Sequence, residues 1–196
     1  MTGATLTATH PYSVIGLGNV FLGDDGFGPL AVETFRSQFA YGPEVEVLDL
    51  GTPGLDLAPY LYDRKLVVIV DAVHADLPLR TVSVFREADF SSSCACLRIT
   101  GHDPGLWDTL AHLRIADCGP SELIVIGAAP ETCIFGDGPS ATMLSLAAEA
   151  AESIAQVLTR RGVLCSRRNV ATHPNLWWLP LPSTPHPDAQ EAKSNA

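Results

Sequence analysis

Apolar and polar positions along this chain alternate between two periods, and the alternation predicts most of the elements. Residues 12–17 begin Tyr12-Ser13-Val14-Ile15, an apolar run that reads as a buried strand. Leu66–Val70 (LVVIV) and Glu122–Gly127 (ELIVIG) are runs of the same kind, and unbroken β-branched runs suit central parallel strands covered on both faces. Glu44–Leu50 (EVEVLDL) alternates as a strand with one wetter face. Arg80–Arg86 (RTVSVFR) alternates with charged ends, which predicts an edge strand, antiparallel to the others. Between the strands the period changes. Leu30, Ala31, Thr34, Phe35 and Gln38-Phe39 recur at helical spacing after Gly28, and a short helix is expected over Leu55–Tyr62. Asp103-Pro104 is a helix start, an N-cap acceptor followed by proline at the first helical position, with the helix running to about Ala116. Ala141–Arg160 is the longest helix, while Glu87–Gly101 reads as irregular. Strands alternating with helices predict an α/β fold, a three-layer α/β/α sandwich around a mainly parallel twisted sheet of about five strands.

Composition narrows this to one domain. The chain has 196 residues, 46% of them hydrophobic and 17% charged, enough to bury a single core. That core is expected within residues 1–164, with 165–196 a proline-rich, loosely ordered tail whose Trp177-Trp178 pair reads as a docking cap. A net charge of -10 argues against nucleic acid or an anionic membrane as partner, since both demand a basic face. No run approaches the roughly 18 apolar residues of a spanning helix, and the first ten residues lack the pattern of a secretory signal. Five cysteines, an odd number, fit reduced thiols in a cytoplasm better than a disulfide framework. Cys94, Cys96, Cys118 and Cys133 do not have zinc-site spacing and read as loop and core thiols.

The candidate chemistry gathers at the stretch Gly16–Gly28, GLGNVFLGDDGFG. A strand delivers a glycine turn, the turn delivers the adjacent acids Asp24 and Asp25, and a helix follows. The partial positive charge of a helix N-terminus favours carboxylates placed beside it. This is not a dinucleotide loop, because Phe21 stands where the third glycine would be. Parallel sheets bind ligands at the carboxyl ends of their strands, where strand order reverses. If the order is 2-1-3, Asp25 after the first strand and Asp71 at the end of the third share that crevice, and His102 begins a helix that could cover it. The three would form an O,O,N donor set suited to a borderline divalent metal, with coordination positions left open. Bland readings stand beside this one. A strand-end aspartate is a common turn former, Asp24-Asp25 can cap a helix, and a histidine before a helix cap is commonly a surface residue.

At this point the residues converge on a family. From about Ser13 to Leu158 the chain resembles the hydrogenase maturation endopeptidases, nickel-dependent proteases that process the C-terminus of [NiFe]-hydrogenase large subunits. The resemblance is carried by Gly16-Leu-Gly-Asn19 with Gly23-Asp-Asp-Gly26, by Gly51-Thr-Pro-Gly54 and by Val70-Asp71-Ala72. His102 with Gly105-Leu106, and Ile126-Gly127 with Pro130-Glu131, complete it. It implies that Asp25, Asp71 and His102 are the metal-binding residues, that Asp25 or Asp71 is catalytic in the manner of an aspartic peptidase, and that Gly51, Thr52 and Gly54 contact substrate. It also implies a large-subunit precursor as partner and nickel as cofactor, the nickel supplied by the precursor rather than held permanently. A monomer is expected. A non-catalytic chaperone that checks nickel in the same precursor is the alternative. Three departures from the family pattern stand out. Asp25 is a methylene shorter than the Glu of some members, Asp49-Leu50-Gly51-Thr52 replaces Asp-Gly-Gly-Thr, and Thr-Gly precedes His102.

Overall fold

A computed structural model describes residues 10–53, 57–74, 78, 80–91, 98–99 and 103–179. Its strands are β1 (Tyr12–Leu17), β2 (Phe39–Tyr41), β3 (Val45–Gly51), β4 (Leu66–His74), β5 (Val82–Arg86), β6 (Arg98–Ile99), β7 (Leu123–Ala128) and β8 (Cys165–Arg167). The helices are α1 (Phe27–Gln38), α2 (Ala58–Leu61), α3 (Glu87–Ser91), α4 (Asp103–Ile115) and α5 (Ala141–Thr159), with a 3-10 turn at Gly23–Gly26 ahead of α1.

The main sheet runs β3-β1-β4-β7-β5, and β6 pairs with the far end of β4. Strands β3, β1, β4 and β7 are parallel, while β5 is the expected antiparallel edge. Period-two alternation along the strands divides the core into two layers. Val14, Val68, Val70 and Ile126 meet Phe27, Phe35 and the apolar stripe of α5 on one face. Ile15, Leu17, Val67, Ile69 and Val125 meet Leu61 of α2 and Leu106 and Leu110 of α4 on the other. The sandwich is therefore the α/β/α arrangement that the alternating periods predict.

Several boundaries differ from the pattern reading, each for a long-range reason. β4 does not stop at Asp71 but continues to His74, because its last two residues pair antiparallel with β6. The supposedly irregular 87–101 stretch thus contains both α3 and that short strand. Between 55 and 62 only Ala58–Leu61 is helical among the described residues. A small ribbon joins β2 to β8, so the chain after α5 returns to the body of the protein. It then lies along α1. The N–H of Arg168 donates to the Gln38 carbonyl (2.7 Å), that of Thr172 to the Ser37 carbonyl (3.0 Å), and that of Asn175 to Oε2 of the buried Glu33 (3.3 Å). Residues 165–179 of the expected tail form this strap, while the remainder lies outside the described residues.

Helix α1 sits so close to the sheet that a side chain would not fit at its first turn. A Cβ on Gly28 would stand 2.1 Å from the Leu17 carbonyl oxygen and 2.2 Å from that of Val70, both backbone atoms of adjacent strands. We expect Gly28→Ala to push α1 off β1 and β4 and cost about 3 kcal/mol or more. Gly119→Ala, whose new methyl meets nothing nearer than 3.5 Å, should cost about 0.5 kcal/mol or less. Urea denaturation of both variants checks this; equal midpoints would mean that α1 is seated farther from the strands.

Candidate functional site

The order β3-β1-β4 places the reversal of strand order between β1 and β4, at their carboxyl ends. Gly16 pairs with Val70 there, so Leu17-Gly18 and Asp71 emerge side by side. Gly18 has a φ of +131°, a backbone conformation that favours glycine. A Cβ on it would stand 1.9 Å from the Asp25 carbonyl oxygen and 3.5 Å from Oδ1 of Asp71. The glycine turn, the Asp25 segment and the Asp71 carboxylate are thus packed against one another, and both acids are buried. Each carboxylate is aimed by a backbone donor. The N–H of Asn19 donates to Asp25 Oδ2 (2.9 Å), and the N–H of Ala72 donates to Asp71 Oδ1 (2.8 Å).

The two expected catalytic acids are therefore brought together. Gly51 joins them from β3, its carbonyl accepting from the Gly18 N–H (2.9 Å), and Thr52 lies exposed just beyond. His102 and Gly54 lie outside the described residues. Among the described residues no group of three or more His, Cys, Asp and Glu side chains is arranged to hold a metal ion. Asp25 and Asp71 supply two hard oxygen donors at one place, which fits a divalent ion only with further donors from elsewhere.

Two residues of the site escape the sequence reading. Asp24 is fully buried and does not cap α1. Its carboxylate instead accepts from the N–H groups of Glu131 (2.8 Å), Thr132 (3.3 Å) and Ser140 (2.6 Å), all in the loop between β7 and α5. Its own N–H donates to the Thr132 carbonyl (2.9 Å), so the turn and the loop are stitched in both directions. Nothing in the local sequence could reveal donors over a hundred residues away. The second is Cys133, carried by the same loop. Partial burial of its thiol, and then the charges of Asp25, Asp24 and Asp71, push it above the ordinary thiol range, opposed by a hydrogen bond from the Asp25 backbone. It stays a neutral thiol beside the acids at neutral pH.

Fold and site together define a doubly wound α/β protein with a pair of buried carboxylates at its switch point. The sequence profile of the HycI family, hydrogenase maturation protease, matches residues 29–160. A hydrogenase expression/formation protein HupD from Bradyrhizobium diazoefficiens is 29% identical over 157 residues, 80% of this chain and 82% of its own. The hydrogenase 2 maturation protease of Escherichia coli is 28% identical over 76% of this chain and 92% of its own. Among solved structures, the hydrogenase maturating endopeptidase HybD from E. coli superposes with a TM-score of 0.72 at 28% identity, over 80% of this chain and 97% of that one. The [NiFe] hydrogenase maturation protease HybD from Thermococcus kodakarensis does so at 0.61 and 26%, over 74% and 97%. The chain belongs to the hydrogenase maturation protease family, and with it to the hydrolases that serve hydrogenase maturation.

Two outcomes test the site geometry. Asp24→Ala strands three backbone donors in a buried setting, each worth about 1 kcal/mol or more, so the loss of stability should reach about 3 kcal/mol; a loss below about 1 kcal/mol in urea denaturation would mean that the loop does not depend on this carboxylate. Alkylation of Cys133, followed by peptide mass against pH, should have a midpoint above that of an ordinary cysteine, and Asp25→Asn should lower it. A midpoint at the ordinary value that Asp25→Asn leaves in place would put the thiol away from the acids.

Proposed function

We propose that this protein is a cytoplasmic endopeptidase that removes a short C-terminal extension from the nickel-loaded precursor of a [NiFe]-hydrogenase large subunit. It recognises the bound nickel through Asp25, Asp71 and His102. The observation that carries this reading is the convergence of Asp25 and Asp71 at the Gly18 turn, at the sheet's switch point. Two carboxylates with fixed aim are what a site needs if it is to complete the coordination of an ion that arrives already held by its substrate. Nickel is thus part of the substrate, and when bound it supplies Lewis-acid polarisation.

The chain's own part is positioning and proton transfer. Backbone N–H groups hold one oxygen of each carboxylate, which aims both acids without a mobile side chain between them. A carboxylate in this pair takes a proton from the water that attacks the scissile carbonyl and returns it to the departing amine, the work of a general base and then a general acid. This is the aspartic-type assignment. Gly51 accepts from the Gly18 N–H one residue before the exposed Thr52, which supports substrate contact from the β3 loop.

The test is to incubate the protein with its candidate large-subunit precursor, with and without nickel, and to record intact mass. Loss of a C-terminal peptide only in the nickel-loaded sample is expected, and Asp71→Asn should slow it about a hundredfold or more with the fold intact. Cutting without nickel would discard metal recognition. Firm binding with no mass change under any loading would replace the protease reading by that of a nickel-checking chaperone.

A further inference from the structure

The acidic crevice is bordered by an apolar rim that neither the fold nor the acids explain. Phe21 is 51% exposed, Ile134 60%, Phe135 78% and Trp177 65%. Exposed apolar residues scattered singly are ordinary, but four bulky ones on adjoining loops are not. They come from three separate parts of the chain. Phe21 lies in the turn between Gly18 and Asp25, its N–H donating to the Asn19 side chain (3.0 Å), while the Asn19 N–H holds Asp25. Ile134 and Phe135 lie in the loop that Asp24 anchors. Trp177 is delivered by the strap along α1 and meets the Phe21 ring edge-on, with centroids 6.1 Å apart.

The main chain beneath the rim is tied together although its side chains are exposed. The N–H of Gly136 donates to the Phe21 carbonyl (2.9 Å), that of Gly23 to the Asp137 carbonyl (3.1 Å), and that of Asp137 to the Ile134 carbonyl (3.2 Å). These main-chain groups are spent on one another, so the rim offers a partner side-chain contact rather than a strand edge to extend. Phe21 and Trp177 brace each other, and rings braced in advance lose less entropy on binding, which is how a few residues come to dominate an interface. The loop segments that carry the rim are acidic. Segments 16–28, 130–140 and 174–179 hold Asp24, Asp25, Glu131 and Asp137 and no lysine, arginine or histidine. Glu131 is paired with Arg80 (3.7 Å), which leaves the exposed Asp137 and the crevice acids to set the local field.

We propose that this rim, Phe21, Ile134, Phe135 and Trp177, is the docking surface for the precursor polypeptide beside its cut, gripping an extended segment that carries large apolar side chains flanked by basic ones. The inference rests on the protease reading and adds to it the chemistry of the segment recognised. Phe21 lies beside Asp25, because one asparagine ties the two residues together. The apolar side chains supply the grip, while the acids favour a basic flank and disfavour an acidic one.

The experiment separates docking from cutting. KM and kcat are measured by mass spectrometry on the nickel-loaded large-subunit precursor, and Kd on the same immobilised precursor. Phe135→Ser and Trp177→Ala should each raise KM and Kd about tenfold or more, with kcat within about twofold and an unchanged melting temperature. Ile115→Ser, at an exposed apolar residue ending α4, should change none of these. Wild-type binding should weaken as salt rises from about 0.1 M to about 0.5 M. Cleavage by the wild type with KM and Kd unmoved in both rim variants overturns the docking surface and leaves the protease reading intact. Wild-type binding without cleavage, lost in both variants, keeps the docking surface and overturns the protease reading. A chain ending at Leu179 that binds the precursor about tenfold more tightly would assign the rim to this protein's own residues 180–196. A concentration-dependent dimer abolished by Phe135→Ser would assign it to a second copy. Either result overturns the proposal.

Discussion

A buried carboxylate with three backbone donors organises the working end of this protein. Asp24 lies in a turn that follows the first strand, yet its partners are Glu131, Thr132 and Ser140, across the sheet and before the last helix. Burying a charge is costly unless hydrogen bonds replace its water, and here the replacements come from loop N–H groups that would otherwise lack acceptors themselves. The bond to Ser140 also places the carboxylate at the N-terminus of α5, where the helix dipole favours negative charge. One side chain therefore closes two loops, steadies the entry of a helix and leaves its neighbour Asp25 facing the crevice. The adjacent acids differ in environment: Asp24 is held by three N–H groups of a distant loop, Asp25 by the N–H of Asn19 in its own turn.

The close approach of backbone to backbone is the second condition. A Cβ on Gly16 would lie 2.6 Å from the Gly28 carbonyl oxygen, and a Cβ on Gly28 would lie against both β1 and β4. Helix α1 can thus begin directly over the seam between the two central strands, which brings the 3-10 turn with Asp24 and Asp25 to the ends of those strands. A bulkier residue at either glycine would lift the helix and carry the acids away from Asp71. Packing at the base of α1 and geometry at the site are one constraint.

The strand order and the pairing of Asp25 with Asp71 were legible because they follow from rules with short range or strong handedness. Unbroken apolar runs mark central strands, and parallel connections leave few topologies for them. What could not be read depended on contacts between distant segments. β4 runs three residues past Asp71, Ala72 on β7 and then Val73 and His74 on β6, and Phe39–Tyr41 becomes a strand because Cys165–Arg167 returns to it. Asp24 looked like a cap because local sequence offers a cap as the nearest use for an acid before a helix. The polar composition around 165–179 hid the strap, which is held by the β2–β8 ribbon, by the Gln38 and Ser37 carbonyls and by the buried Glu33 of α1.

The sequence profile of the family begins at Pro29, past the whole glycine turn and both of its acids. Asp71 lies within the matched stretch and Asp25 outside it, so membership alone does not carry over the second carboxylate. Geometry does that separately, since Gly18 packs on Asp25 and Asp71 at once. The same boundary divides the rim, with Ile134 and Phe135 inside the matched stretch and Phe21 and Trp177 outside it. Its aromatics hang on main-chain bonds between the turn and the 130–140 loop, and on a strap that lies beyond the matched residues. Strands β4 and β7 and helix α5 thus lie within the matched stretch, while the glycine turn and the strap rest on this chain's own contacts.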